Sequence, residues 1–249
     1  MPDLLGYRLK LGVAVPSTNT SAQPEMDALR PAGVTNHTAR ILIEDESLEE
    51  EAGFNSVIDR IRKSTSNALK SLSACGLQRV IVAVSPDSYW EGAEHHRLLL
   101  AQFREAAGGA EITTSADAIE AALEQLGGLR RIGLISPYAE IGDNPASRFF
   151  IERGYEVVAL HGLGGTSPSR IADVTTAKLR AAVEAVNRPE VEAIIQVGTN
   201  VPMAAFAALA EDWVGKPVIT NNAVLYWHAL RQSGIADSVE RAGLLFSIR

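Results

Sequence analysis

A chain of 249 residues is long enough for one large α/β domain or two small ones. Its 46% apolar and 21% charged composition is that of a globular protein, and a net charge of −7 without a Lys/Arg cluster argues against a nucleic-acid partner. The single cysteine, Cys75, excludes an internal disulfide and a cysteine-built metal site.

Leu11-Gly12-Val13-Ala14-Val15 reads as a buried strand that breaks at Pro16 into Ser17-Thr18-Asn19-Thr20-Ser21. In an α/β sheet such a loop lies at the carboxyl end of its strand, where ligands bind. Its hydroxyl and amide donors, with the free N–H groups of a following helix, suit an anionic oxygen of a small carboxylate. An ordinary capped turn fits the same residues. Neither glycine-rich phosphate motif, GxxxxGKS/T or GxGxxG, is present.

A first helix is expected from Glu25 to Leu29, with Glu25 suited to the positive end of its dipole, and a strand at Thr38 to Ile43. The acidic run Glu44 to Glu51 reads as a solvated face. Apolar residues at Val57, Ile58, Ile61, Ala68 and Leu69 predict an amphipathic helix over Phe54 to Leu72. Arg79 to Val84 is a buried strand that ends in the polar loop from Ser85 to Gly92.

A helix from Ala93 to Ala107, a short strand at Ile112 to Thr114 and a helix from a Ser115 cap to Leu126 follow. Arg131 to Ile135 is a strand running into Ser136-Pro137-Tyr138, and Asn144 to Arg153 is a helix stopped by Gly154. Val157 to Leu160 is a strand with a loop from His161 to Pro168. Then come a helix at Thr175 to Val186, a strand at Val191 to Val197 with the loop Gly198-Thr199-Asn200, and a helix at Met203 to Ala210. Pro217 to Ile219 is the last strand, Thr220-Asn221-Asn222 its loop, and Ala223 to Gln232 the closing helix.

Strand and helix alternate throughout, so parallel doubly wound sheets are expected. Gly12-Val-Ala-Val-Pro16 is echoed by Gly133-Leu-Ile-Ser-Pro137, and Val80 to Ser85 by Ala193 to Thr199, roughly 115–120 residues on. The fold class is therefore α/β with two pseudo-symmetric halves facing a shared cleft. Their expected bounds are 1–112 plus 223–249 and 113–222. No segment approaches the ~18 apolar residues that span a bilayer. Met1 to Lys10 lacks the apolar core of a signal peptide, so a cytoplasmic location is expected.

Four pieces carry a resemblance: the opening Gly-Val-x-Val-Pro-Ser-x-Asn-Thr with Pro24-Glu25, the loop Ser88-Tyr89-Trp90-Glu91-Gly92, Ser136-Pro137-Tyr138, and Gly215-Lys216-Pro217-Val218. The chain resembles the aspartate/glutamate racemase superfamily in its maleate isomerase and arylmalonate decarboxylase branch. That resemblance implies two α/β halves with the site between them, a dimer, and chemistry beside a carboxylate. Family members usually carry a catalytic cysteine at the end of one or both equivalent strands. Counting back from Gly92 and Gly215 puts those slots at Val84 and Gly198, neither of which is cysteine. Cys75 precedes a strand, at the wrong end for the cleft, and reads as a small buried hydrophobe.

By resemblance, Asn19 and Tyr138 hold a substrate carboxylate. Ser17, Thr20, Ser88, Thr199, Asn200, Thr220 and Asn221 are the further binding candidates on cleft loops. Asp87 is the first candidate for acid–base work, a turn residue being its alternative, and Ser85, Tyr138 and His161 are further catalytic candidates. His95 and His96 lack the i, i+4 spacing of a metal pair, and His228 reads as a packed helix residue. No metal and no cofactor are expected, and the partner is a small carboxylate, with neither nucleic acid nor membrane involved. The reading is a thiol-independent lyase, decarboxylase or isomerase working through an enolate-like anion. A carboxylate-binding protein without chemistry, a hydrolase and a structural partner in a complex are the alternatives.

Overall fold

The structure, a computed structural model, describes residues 3–84 and 92–248. Two four-stranded parallel sheets organise them. The first has the order β2-β1-β3-β4, from β1 (Leu9–Pro16), β2 (Val34–Ile41), β3 (Arg79–Val82) and β4 (Glu111–Thr113). The second repeats it as β6-β5-β7-β8, from β5 (Arg131–Ser136), β6 (Glu156–Gly162), β7 (Ala193–Gln196) and β8 (Val218–Thr220). In each sheet the chain leaves the founding strand for one edge and then crosses to its other side. That reversal opens a crevice beyond the carboxyl ends of β1 and β3, and of β5 and β7.

The echo between Gly12 and Gly133 has a steric cause. A Cβ at Gly12 would lie 2.7 Å from Leu77 Cδ1, and one at Gly133 would lie 2.9 Å from the carbonyl oxygen of Val186. Each glycine precedes its strand's proline by the same spacing, and each admits a neighbour that a side chain would displace.

The helices are α1 (Ala22–Ala28), α2 (Glu51–Ser73), α3 (Gly92–Ala106), α4 (Ser115–Gln125), α5 (Glu140–Glu152), α6 (Thr176–Val186), α7 (Ala204–Val214), α8 (Asn221–Gln232) and α9 (Leu244–Ser247). One apolar core runs through both halves. Leu11, Val13 and Ile81 of the first sheet join Leu134 and Ile195 of the second through Ile119 of α4 and Leu225, Tyr226 and Leu230 of α8. A second core lies between α2 and the first sheet, and Tyr138 enters it from the other half. The α2 stripe of Phe54, Val57, Ile58, Ile61, Ala68, Leu69 and Leu72 faces that core at helical spacing.

Several sequence expectations need correction. β2 starts at Val34 rather than Thr38: Thr35, Asn36 and His37 look unlike a strand, yet pairing with β1 along its whole length holds them extended. Thr114, not Ser115, caps α4: its oxygen accepts from the Asp117 amide, and its hydroxyl donates to Asp117 Oδ2 at 2.7 Å. His161 belongs to β6 and not to a loop. Thr220 ends β8 while Asn221 and Asn222 open α8, so that cluster is not a loop. Cys75 is exposed rather than buried, at the turn between α2 and β3 and hence at the amino end of the sheet.

Glu49, Glu50 and Glu51 are exposed, while Glu44 and Glu46 both pair with Arg60. His228 packs in α8, where burial foremost and Arg79 next push its pKa down to about 4. Among the described residues no helix is long and apolar enough to cross a membrane.

Gly133→Ala is expected to destabilise the fold by about 1–3 kcal/mol through overpacking against Val186. A lowered midpoint of urea unfolding at unchanged slope would show it; an unchanged midpoint would mean that the strand and α6 separate freely.

Candidate functional site

The carboxyl-end loops of both halves, with α2, line one cavity of about 510 Å³ that is partly open to solvent. Its wall is mostly apolar, built from Phe54, Val57, Ile58 and Ile61 of α2 with Ile43, Leu48 and Ile171. Thr18, Asn19, Tyr138, Gly198, Thr199 and Asn200 form its polar end, and no charged residue lines it among the described residues. The Tyr138 ring stands edge-on to Phe54, with centroids 5.1 Å apart and planes at 78°.

A buried hydrogen-bonded seam joins the halves behind that polar end. Asn19 Oδ1 accepts the amides of Ser21 and Ala22 at 3.0 and 2.9 Å, which satisfies the open end of α1. Asn19 Nδ2 donates to Thr199 Oγ1 at 3.0 Å, and the Thr199 hydroxyl donates onward to the Ala83 carbonyl at 2.9 Å. Asn200 Oδ1 accepts the Thr20 amide at 2.9 Å while its Nδ2 donates to the Pro168 carbonyl at 2.8 Å. Ser21 Oγ donates to the Asn200 carbonyl at 3.0 Å. The donors that the sequence offered to a ligand at Thr199 and Asn200 are thus spent on holding three loops together.

The backbone of this turn remains to be satisfied. Among the described residues, the amide N–H groups of Thr18, Thr199 and Asn200 meet no acceptor. Thr199 and Asn200 are buried, and all three residues line the cavity. Both carbonyls of the turn are held from behind: Gln196 Nε2 donates to the Gly198 carbonyl at 2.8 Å, and Asn222 Nδ2 to the Thr199 carbonyl at 2.9 Å. In a trans peptide the N–H opposes the C=O. Anchoring the Gly198 and Thr199 carbonyls therefore turns the Thr199 and Asn200 amides the other way. Adjacent unpaired amides of this kind make an anion-binding concavity.

Gly198 takes φ +98°, and a Cβ there would lie 2.5 Å from Pro137 Cγ. This position accepts glycine alone without rearrangement. The cavity roof is stitched across the halves. Asp45 accepts the Ser169 amide at 2.8 Å and its hydroxyl at 2.5 Å, and the Leu48 amide donates to the Thr166 carbonyl at 2.8 Å. The Ser169 and Ser167 hydrogen bonds hold the Asp45 carboxyl below its ordinary pKa against the opposing effect of burial.

The other candidates fall elsewhere. Ser17 Oγ donates to the Ile43 carbonyl at 2.9 Å and accepts its amide at 3.0 Å, pinning the chain beyond β2. Thr20 is exposed and lines a separate crevice with Pro24 and Glu25. His161 is half-buried in the edge strand β6, paired with Ile135, and does not line the cavity. Thr220 and Asn221 are buried behind it: the Asn221 amide donates to Gln196 Oε1 at 3.4 Å and its Nδ2 to Ser115 Oγ at 3.0 Å. Val84 lines the cavity as an apolar wall residue. Ser85, Asp87 and Ser88 lie outside the described residues. No group of three or more His, Cys, Asp or Glu residues that could hold a metal ion occurs among the described residues.

Sequence reasoning missed the cavity's apolar wall. Its signal was the Phe54-to-Ile61 stripe of α2, which reads equally as ordinary core. It also missed Gln196 and Asn222, whose work behind the turn no local motif marks.

A family model described as arylmalonate decarboxylase matches residues 11–246. Maleate isomerases from Pseudomonas putida KT2440 and Alcaligenes faecalis are each 25% identical, covering 96% of this chain and 97% and 96% of theirs. A crystal structure of a variant maleate isomerase from Pseudomonas putida S16 with maleate superposes at a TM-score of 0.87 and 21% identity, over 96% of this chain and 98% of that one. An arylmalonate decarboxylase crystal structure superposes at 0.74 and 22% identity, over 96% and 100%. At these identities the superpositions speak for the fold.

Asn200→Ala would release Thr20 and the Pro168 carbonyl together. A loss of about 1–3 kcal/mol in urea unfolding is expected, from buried groups left without partners. No loss would mean that the seam does not join the halves.

Proposed function

Since this chain belongs to the arylmalonate decarboxylase family, we propose that it is an enzyme acting on a small carboxylate with an apolar substituent, through an enolate-like anion. The observation that carries this reading is the set of unpaired amides of Thr18, Thr199 and Asn200 at one end of a cavity that no charged residue lines among the described residues. Amides fixed in advance stabilise a developing oxyanion strongly where water is scarce, and they need no reorganisation during the reaction. The second proton of Asn19 Nδ2 is available to the same oxygen.

The apolar wall of α2 favours a substituted malonate over maleate. A maleate-like ligand needs a second polar cradle, whereas α2 lines the cavity with Phe54, Val57, Ile58 and Ile61. In a malonate one carboxylate sits on the amides and stays. The bond from the α-carbon to the other breaks, and its electron pair moves onto the retained carboxylate as an enediolate. Carbon dioxide leaves, and the α-carbon takes a proton.

We assign delivery of that proton to Tyr138, which lines the cavity, with Asp87 and Ser85 as further candidates. Support for chemistry without thiols comes from Gly198, where Pro137 leaves no room for a side chain, and from Cys75 at the far end of the sheet.

Phenylmalonate incubated in deuterated buffer and followed by proton NMR tests the reading. Conversion to α-deuterated phenylacetate is expected, and Tyr138→Phe should lower kcat by roughly 10²–10⁴. Binding without turnover would favour the non-catalytic carboxylate binder. Faster turnover of maleate to fumarate would contradict the preference for an apolar substituent.

A further inference from the structure

Glu25 stands in the first turn of α1, and its carboxylate does more than complement that helix. Oε1 accepts the Ala204 amide at 2.8 Å, at the start of α7, whose cap residue Met203 offers no side-chain bond. Oε2 accepts from Asn222 Nδ2 at 2.7 Å, and that same amide nitrogen also donates to the Thr199 carbonyl at 2.9 Å. Both Asn222 Nδ2 protons are therefore committed, one to Glu25 and one to the turn. Glu25 does not line the cavity. Asn222 is 1% exposed, so no solvent competes for its orientation.

Beyond the substrate reading above, on which it rests for its function, we infer that Glu25 is a positioning residue. Its carboxylate aligns Asn222, Asn222 holds the Thr199 carbonyl, and the rigid peptide plane thereby aims the Asn200 N–H into the cavity. The plane is the coupling element, because its C=O and N–H cannot turn independently. A charged acceptor suits the task, since Asn222 and the Ala204 and Met203 amides all donate to Glu25 and charge-assisted bonds are the stronger kind. Burial raises the Glu25 pKa, while the bonds from Asn222 and from the Ala204 and Met203 amides oppose that rise.

Glu25→Gln distinguishes positioning from simple support. Glutamine keeps one oxygen and gains an NH₂, so at least one of its partners would meet a donor in place of an acceptor. The ligand-free variant should show a displaced Asn200 backbone amide signal in the ¹H–¹⁵N spectrum, with the Thr18 signal unmoved. Its Kd for phenylacetate, an unreactive probe, should rise about tenfold, equal to about 1.4 kcal/mol. Asn222→Ala breaks the next link and should move the same signal. The double variant should add nothing further, because one path carries both effects.

An unmoved Asn200 amide in folded Glu25→Gln or in Asn222→Ala would overturn the inference; if Glu25→Gln does not fold, Asn222→Ala decides alone. If the wild-type protein fails to bind phenylacetate, the substrate reading falls, while the Asn200 signal still decides whether Glu25 positions the turn.

Discussion

Everything at the cavity's polar end depends on how two peptide planes are held. The Gly198 and Thr199 carbonyls are anchored by Gln196 and Asn222, so the amides that follow them face away from those anchors. Backbone groups supply the potential anion cradle, and side chains supply its rigidity. This division explains why Asn19, Thr199 and Asn200 bond mainly to one another and to neighbouring loops. It also explains the glycine at 198, since a side chain there would strike Pro137 and push the turn out of register.

The two halves are joined by the same bonds that shape the site. Asn19 of the first half reaches Thr199 of the second, and Thr199 returns to Ala83 of the first. The shared core through α4 and α8 holds the sheets together, and the polar seam sets how their carboxyl ends meet. Placing a buried polar network here ties a unique geometry to the fold, because a slipped arrangement would leave many of its donors unsatisfied. The apolar side chains of α2 beside the seam lower the local polarity, which strengthens its hydrogen bonds.

Much of this was legible in the sequence, for identifiable reasons. The buried strands stood out by their β-branched runs, and Gly12 and Gly133 marked the duplication because each admits a close neighbour. Asn19, Tyr138, Thr199 and Asn200 were expected at the cleft, and all four line the cavity. Their bonding partners were not legible, since they join residues far apart in sequence. Thr220-Asn221-Asn222 was misread because a polar cluster after a strand ordinarily means a loop, whereas here it is buried in the seam. Ser17 and His161 fit the pattern of cleft residues equally well, but their backbone directions send them elsewhere. Cys75 shows the limit of residue preference: cysteine is commonly buried, and the turn after α2 exposes it.

We propose that an anion binds to the backbone of the 198–200 turn and to Thr18, with its apolar part against α2. A crystal structure of the protein with phenylacetate tests this most directly. A carboxylate oxygen is expected within hydrogen-bond distance, about 2.7–3.2 Å, of the Thr18, Thr199 and Asn200 nitrogens, with the ring against Phe54 and Ile58. A carboxylate bound at another part of the molecule, with those three amides still facing water, would contradict it.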